Sequence, residues 1–391
     1  MKITFRWYGE NDRITLGKIR QIPVVTGVVT ALYDTPVGGV WPEESIARLT
    51  GVCRENGLEC EVVESLPVHE DIKLGLPSAA GYIENYKENI RRLGKYGVKC
   101  VCYNFMPVFD WLRSDLNYAL SDGSSALSYK RKDILRLNPD RSKLSLPGWD
   151  ESYTRDGLRA LLARYENVDG ERLWDNLGAF LSEIIPVAEA SGVKMAIHPD
   201  DPPWSVFGLP RIITGAESVR RLLRLAPGEA NGITFCTGSF GATGANGLLS
   251  RRENVKRRNG SRGGAITDGL KEIADAAKGR VHFLHLRNIE ITGEHDFHET
   301  AHPSECGGID MYAVLKKLLD DGFDGYVRPD HGRMIWGENG RPGYGLFDRA
   351  LGACYIAGLY EAYVKERAAD AGKKRDKFGV RRNVNKLINN V

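Results

Sequence analysis

Eight short apolar runs alternate with stretches of helical period along this 391-residue chain, and that alternation restricts the fold more than any other feature. The runs are ITFRWYG, GVVTALYD, CEVVES, VKCVCYNF, KMAIHP, ITFCTG, VHFLHLRN and GYVRPDH. Each is followed by a helical stretch such as PEESIARLTGVCRENG, which has Pro42 near its start and Gly57 at its end, where those residues favour helix entry and exit. Strand and helix in strict alternation build a parallel sheet. Eight units close it, so the expected fold is α/β, a (β/α)8 TIM barrel.

Two connections are too long to be plain. Long insertions are expected after strand four, about residues 106–173, and after strand six, about 241–264. The first is expected to carry its own helix near DGLRALLARYE. The second, SFGATGANGLLSRRENVKRRNGSRGGA, is Gly-rich and basic and reads as a mobile segment without chemistry of its own, since its glycines lack the strand, GxGxxG and helix context of a dinucleotide fingerprint. The chain therefore divides into a single catalytic barrel over 1–365 and a basic tail over 366–391.

Composition is that of an ordinary globular enzyme, 42% hydrophobic and 27% charged. Seven scattered cysteines (53, 60, 100, 102, 236, 306 and 354) argue for reduced thiols rather than a disulfide framework. No apolar run approaches the roughly 18 residues that span a bilayer, and MKITFRWYGENDR lacks the pattern of a secretory signal. A cytoplasmic protein that does not engage membranes is expected. Net charge is +3, yet Ser250 to Gly263 holds six basic residues against one acidic and Lys365 to Val391 holds nine against three, so the remaining body is net acidic. The cluster RRENVKRRNGSR could contact phosphate, but an acidic body and the lack of any recognised binding motif weigh against nucleic acid as a partner.

The last four strand-like runs each end in a metal-ligand residue: His198, Cys236, His285 and Asp330. A parallel barrel gathers the C-terminal ends of its strands around one mouth, so these four converge although dozens of residues separate them. Any one alone would read as a packing or turn residue; equivalent positions on four consecutive strands point to a metal site. Two imidazoles, a thiolate and a carboxylate suit a borderline divalent first-row ion and leave positions open for substrate oxygens.

Long motifs then carry a resemblance. FRWYG, VVTALYD, VVESLPVHEDIK, VCYNFMPVFDWLRSDL, IIPVAEASGVKMAIHPDDPPWSVFGLPRI, FCTGSF, FLHLRN, FHETAHPSECGGIDMY, RPDHGR and RPGYGLFDRALG together cover nearly the whole chain before the basic tail. In them the sequence resembles the mannonate dehydratase family of the xylose-isomerase-like barrels. The resemblance implies dehydration of D-mannonate to 2-keto-3-deoxy-D-gluconate in hexuronate catabolism, with a divalent metal, Mn2+ or Fe2+. It places the metal ligands at His198, Cys236, His285 and Asp330, the same four. The basic segment 250–263 and the tail depart from the family pattern without touching a motif residue. A homo-oligomer, dimer or tetramer, is expected.

Such a dehydration removes the proton on C2 and expels the hydroxyl from C3, so two proton-transfer groups should face the metal. His331, directly after Asp330, and Tyr344, in the loop after strand eight, are the candidates, and the resemblance points to the same pair. Successive strand residues face opposite ways, so Asp330 and His331 can both serve only where the strand is already turning into its loop. Which is base and which is acid stays open. Arg287 and Asn288, just beyond His285, are placed to meet the sugar acid, a guanidinium being suited to carboxylate. Asn104, Asp110, Trp111, Arg113 and His302 are further rim candidates for substrate binding. Asp200 and Asp201 read as groups that fix their loop or orient His198. His69, His282, His295 and His298 read as structural or surface residues. The competing reading is another metal-dependent enzyme on the same barrel, a sugar-acid dehydratase or a sugar isomerase or epimerase. The thiolate ligand argues against the isomerases.

Overall fold

The computed structural model describes residues 1–136, 155–248 and 263–378. Its strands are β1 (Lys2–Arg6), β2 (Gly27–Thr30), β3 (Glu59–Glu64), β4 (Cys100–Tyr103), β5 (Asp115–Ala119), β6 (Ser125–Tyr129), β7 (Lys194–Ile197), β8 (Asn231–Cys236), β9 (Val281–Leu286), β10 (Ile289–Gly293), β11 (Asp296–Glu299) and β12 (Tyr326–Pro329). Eight of them close a barrel in the order β1, β12, β9, β8, β7, β4, β3, β2, with all neighbours parallel. The (β/α)8 fold expected from the alternation is therefore present, and its fifth to eighth strands are β7, β8, β9 and β12.

The helices form where apolar residues recur every three to four positions. Gly170–Ala190 buries Leu173, Leu177, Phe180, Leu181, Ile184 and Ala188 along one face, and the Asp169 side chain caps its start by accepting from the Arg172 N–H. Outward-facing strand residues such as Val28, Val63, Val101, Ile197, Phe235 and Leu284 share one continuous core with these helices. A second, smaller apolar cluster takes Val29, Val62, Cys100, Cys102, Ala196 and Phe283 from different barrel strands. Side chains alternate across a strand, so this second set lies in the barrel interior beneath the mouth.

The long connections are more structured than their composition suggested. The insertion after β4 contains the expected helix, Arg155–Arg164, but also β5 and β6. These pair antiparallel with β10 and β11, which come from the connection after β9, giving a four-stranded accessory sheet in the order β10, β11, β6, β5. Tyr129 of β6 stacks on Phe297 of β11, and Trp204 closes over Tyr129 at a centroid distance of 5.3 Å.

The segment after Cys236 is a correction to the sequence reading. The start of the segment read as mobile, Ser239–Leu248, belongs to a helix, Thr237–Leu248, that leaves β8 directly. The glycines serve close approach instead: a Cβ on Gly238 would lie 1.9 Å from Arg287 Nε, and one on Gly241 would lie 3.1 Å from Ile309. The basic remainder of that segment, 249–262, lies outside the described residues, as do 137–154 of the first insertion. The last helix, Phe347–Phe378, continues past Lys365 into the stretch read as tail.

Candidate active site

Strand register brings the four strand-end residues together. Cys236 and His285 are directly paired across β8 and β9, and His285 is paired with Arg328 on β12. His198 follows the last residue of β7, and Asp330 follows the last residue of β12. Ligand atoms of His198, Cys236 and His285 all lie within 4.8 Å of one another. Asp330 borders that trio, its Oδ2 3.6 Å from Cys236 Sγ and its Oδ1 3.9 Å from His285 Nδ1.

Local hydrogen bonds aim these atoms. His198 Nδ1 lies 2.7 Å from the Pro199 carbonyl, so the ring donates there and keeps Nε2 free as a lone-pair donor. Cys236 sulfur receives the Ser239 backbone N–H at 3.5 Å and the Ser239 hydroxyl at 3.2 Å, from the first turn of the helix that follows it. His285 is completely buried, and its Nδ1 has no hydrogen-bond partner among the described residues. A buried polar atom left unpaired is costly. A divalent cation between these donors would pair it, so the residues present fit such an ion.

On the other edge of His285, Glu64, Cys102 and Nε2 form a second trio of donor atoms. That position is already filled by a cation of the chain itself. Arg328 donates to Glu64 from Nε and Nη2, both at 3.0 Å, and its Nε lies 3.1 Å from His285 Nε2. Arg328 also pairs with Asp330 at 2.8 Å. Burial alone would raise Asp330, but the fixed positive charge of the neighbouring guanidinium groups, Arg328 foremost, holds it well below the usual carboxylate range. Glu64 is held well below its usual range in the same way, with Arg328 the largest charge opposing its burial.

Because β12 ends at Pro329, Asp330 and His331 both stand in the turn beyond it and can face one site. His331 Nε2 is 2.8 Å from the Tyr344 hydroxyl. Burial, followed by the neighbouring Tyr8 and Asp330, pushes Tyr344 well above the usual phenol range. Trp111 covers the pair, with centroids 5.2 Å from His331 and 6.4 Å from Tyr344. On its other side His331 Nδ1 lies 2.7 Å from Glu299 Oε1.

The remaining rim candidates are distributed differently. Arg287 and Arg113 are 1% and 0% exposed, and both guanidinium groups are engaged by Asp201 and Glu299. They form a buried network behind His331, although Arg287 Nε still approaches Asp330 at 3.5 Å. Asn288 spends its amide on the carbonyls of Pro303 and Ile309 and the N–H groups of Ile289 and Ile309, which fixes its own loop. Asn104 donates to Asp110 at 2.9 Å at the mouth. His302 is wedged against the last helix, where a Cβ on Gly352 would lie 2.5 Å away. Asp200 fixes its loop by accepting the N–H groups of Ile212 and Ile213. Asp201 does not orient His198; it binds Arg113, Arg287 and Ser239. His69 caps the helix Glu70–Leu74 through Nδ1.

Glu64, Glu299, Ser239 and Arg328 were not singled out in the sequence. Glu64 ends β3 and so stands at a strand end like the four donor residues, although its partner is Arg328. Glu299 offers no such signal, because it ends a strand of the accessory sheet.

Comparison with known proteins identifies the family. The family model described as D-mannonate dehydratase (UxuA) matches residues 1–258 and 250–370. The mannonate dehydratase of Streptococcus uberis is 52% identical over 365 residues, covering 93% of this chain and 99% of that protein. That of Thermotoga petrophila is 52% identical over 375 residues, covering 93% and 98%. The crystal structure of mannonate dehydratase from Streptococcus suis serotype2 superimposes with a TM-score of 0.81 at 46% identity, over 94% of this chain and 96% of that one. A match this long, with the strand-end donor set in place, shows that the chain belongs to the mannonate dehydratase family.

Proposed function

We propose that this chain converts D-mannonate to 2-keto-3-deoxy-D-gluconate, with a divalent ion, manganese or iron(II), held by His198, Cys236, His285 and Asp330. The observation that carries the reading is the His331–Tyr344 pair at 2.8 Å, set one residue from Asp330 at the edge of the donor trio. The relatives' names supply the substrate, and the pair supplies the two proton-transfer groups that its dehydration needs.

The C2 proton beside a carboxylate is weakly acidic. When bound, the ion supplies Lewis acidity that stabilises negative charge on the substrate oxygens. The chain's own residues move the protons. His331, with Nε2 facing the mouth, receives the C2 proton; the C2–H electron pair becomes the C2–C3 double bond as the C3–O bond breaks. Tyr344, kept protonated by its raised pKa, gives its proton to the departing hydroxyl, which leaves as water. The proton on His331 then passes across their hydrogen bond to the Tyr344 oxygen and resets the pair, while the enol product becomes the 2-keto acid. Trp111 above the pair keeps bulk water from the reacting face.

A cytoplasmic location fits a sugar-acid enzyme, and among the described residues no helix is long and apolar enough to cross a membrane. The deciding experiment incubates metal-loaded protein with D-mannonate and its epimers and measures formation of 2-keto-3-deoxy acid. Product from D-mannonate, lost on chelation, is expected. Failure of the metal-loaded protein to turn over any aldonate sinks the reading.

A further inference from the structure

The accessory sheet ends at the back of the site. Glu299, the last residue of β11, is 1% exposed and directs Oε1 at His331 Nδ1 from 2.7 Å. The same oxygen accepts from Arg113 Nη2 and Arg287 Nη1, each at 2.8 Å. Both arginines also bind Asp201, so two buried cations and two buried carboxylates balance one another and lock the carboxylate in place.

Arg287 Nη1 also lies 2.8 Å from His331 Nδ1. A guanidinium can only donate. If Nδ1 accepted from it, the imidazole lone pair would face the Glu299 carboxylate at 2.7 Å, two acceptors without a proton between them. If Nδ1 carries its proton, both nitrogens donate to Glu299 Oε1 and each donor has an acceptor. We infer that Glu299 is the positioning residue of the proton-transfer pair: it holds the His331 proton on Nδ1, so that Nε2 presents its lone pair to Tyr344 and to the substrate carbon.

The accessory sheet thereby has a chemical task, delivering a carboxylate that no barrel strand supplies. This inference rests on the proposed role of His331 as base. Removing the carboxylate leaves the ring free to turn over or to take the other tautomer, and proton transfer slows while binding does not.

The test compares Glu299→Gln and Glu299→Asp with His331→Asn in the metal-loaded enzyme, using D-mannonate with hydrogen or deuterium at C2. Glu299→Gln is expected to lower kcat on the order of 100-fold or more, within the range that a positioned acid or base contributes, with KM and bound metal little changed. The deuterium effect on kcat should grow as proton abstraction becomes rate-limiting. Glu299→Asp keeps the charge between the two arginines but withdraws the oxygen, so it should fold even where the glutamine variant does not, and its kcat should fall with the same larger isotope effect. Wild-type kcat in Glu299→Asp or in folded Glu299→Gln overturns the inference, as does a loss confined to KM or metal content. If His331→Asn itself turns over normally, the reading of the base fails instead; if His331→Asn is inactive while the Glu299 variants are not, only the role of Glu299 falls.

Discussion

Arg328 meets Glu64 through two guanidinium nitrogens, both at 3.0 Å, against the Nε2 edge of His285. This ion pair lies below the strand-end donor residues and sets a pH dependence. Glu64 titrates well below its usual range in the folded chain, so it binds protons more readily when unfolded. Its contribution is complete at neutral pH and is lost on acidification below about pH 4, as pH falls towards the folded value. Glu64→Gln should cost about 3–5 kcal/mol at pH 7, the usual result of breaking a buried pair. Urea unfolding at pH 7 and in acid checks this: the gap between variant and wild type should narrow in acid, and a gap that widens contradicts the account.

Cys236 is a ligand in this reading, not a packing residue. Cys236→Ala removes one of three donors that lie within 4.8 Å of one another. Metal affinity should fall by more than the roughly 10–100-fold that loss of a group one step further out typically costs. Metal analysis after exhaustive dialysis measures it, and full metal retention would falsify the ligand assignment.

The proton-transfer pair should separate from the metal. His331→Asn is expected to abolish turnover with metal content largely intact. Tyr344→Phe should lower kcat by about 10²–10⁴-fold. Variants that keep wild-type turnover remove these residues from the mechanism.

Gly238 tests the packing of the helix that follows Cys236. A methyl group there would lie 1.9 Å from Arg287 Nε. Gly238→Ala should therefore lower stability by about 1–3 kcal/mol, typical of overpacking, and lower kcat as well, since Arg287 bonds Glu299 behind His331. Thermal unfolding and steady-state kinetics report the two losses; an unperturbed Tm means that the helix can shift at little cost.

The barrel and its donor set were legible because both follow from local pattern. Strand-helix alternation fixes the topology, and the strand-end rule selects His198, Cys236, His285 and Asp330 without knowledge of any contact. The accessory sheet was not legible. Its strands are short, β5 is half exposed, and β6 pairs with β11 from a connection far along the chain. For the same reason Arg113 and Arg287 read as substrate contacts: their sequence neighbours suggest a rim, and only the tertiary pairing reveals Asp201 and Glu299. The glycines after Cys236 were misread because composition does not distinguish a glycine chosen for flexibility from one chosen for space.

The accessory sheet also limits how this catalyst can change. Two of its strands come from the connection after β4 and two from the connection after β9, and they meet at the β6–β11 pairing. Shortening or exchanging either connection alone leaves the other with an unpaired edge and loosens the strand that ends in Glu299. New substrate ranges on this scaffold therefore require the two connections to be redesigned as a unit, even though the barrel beneath them treats each βα loop as independent.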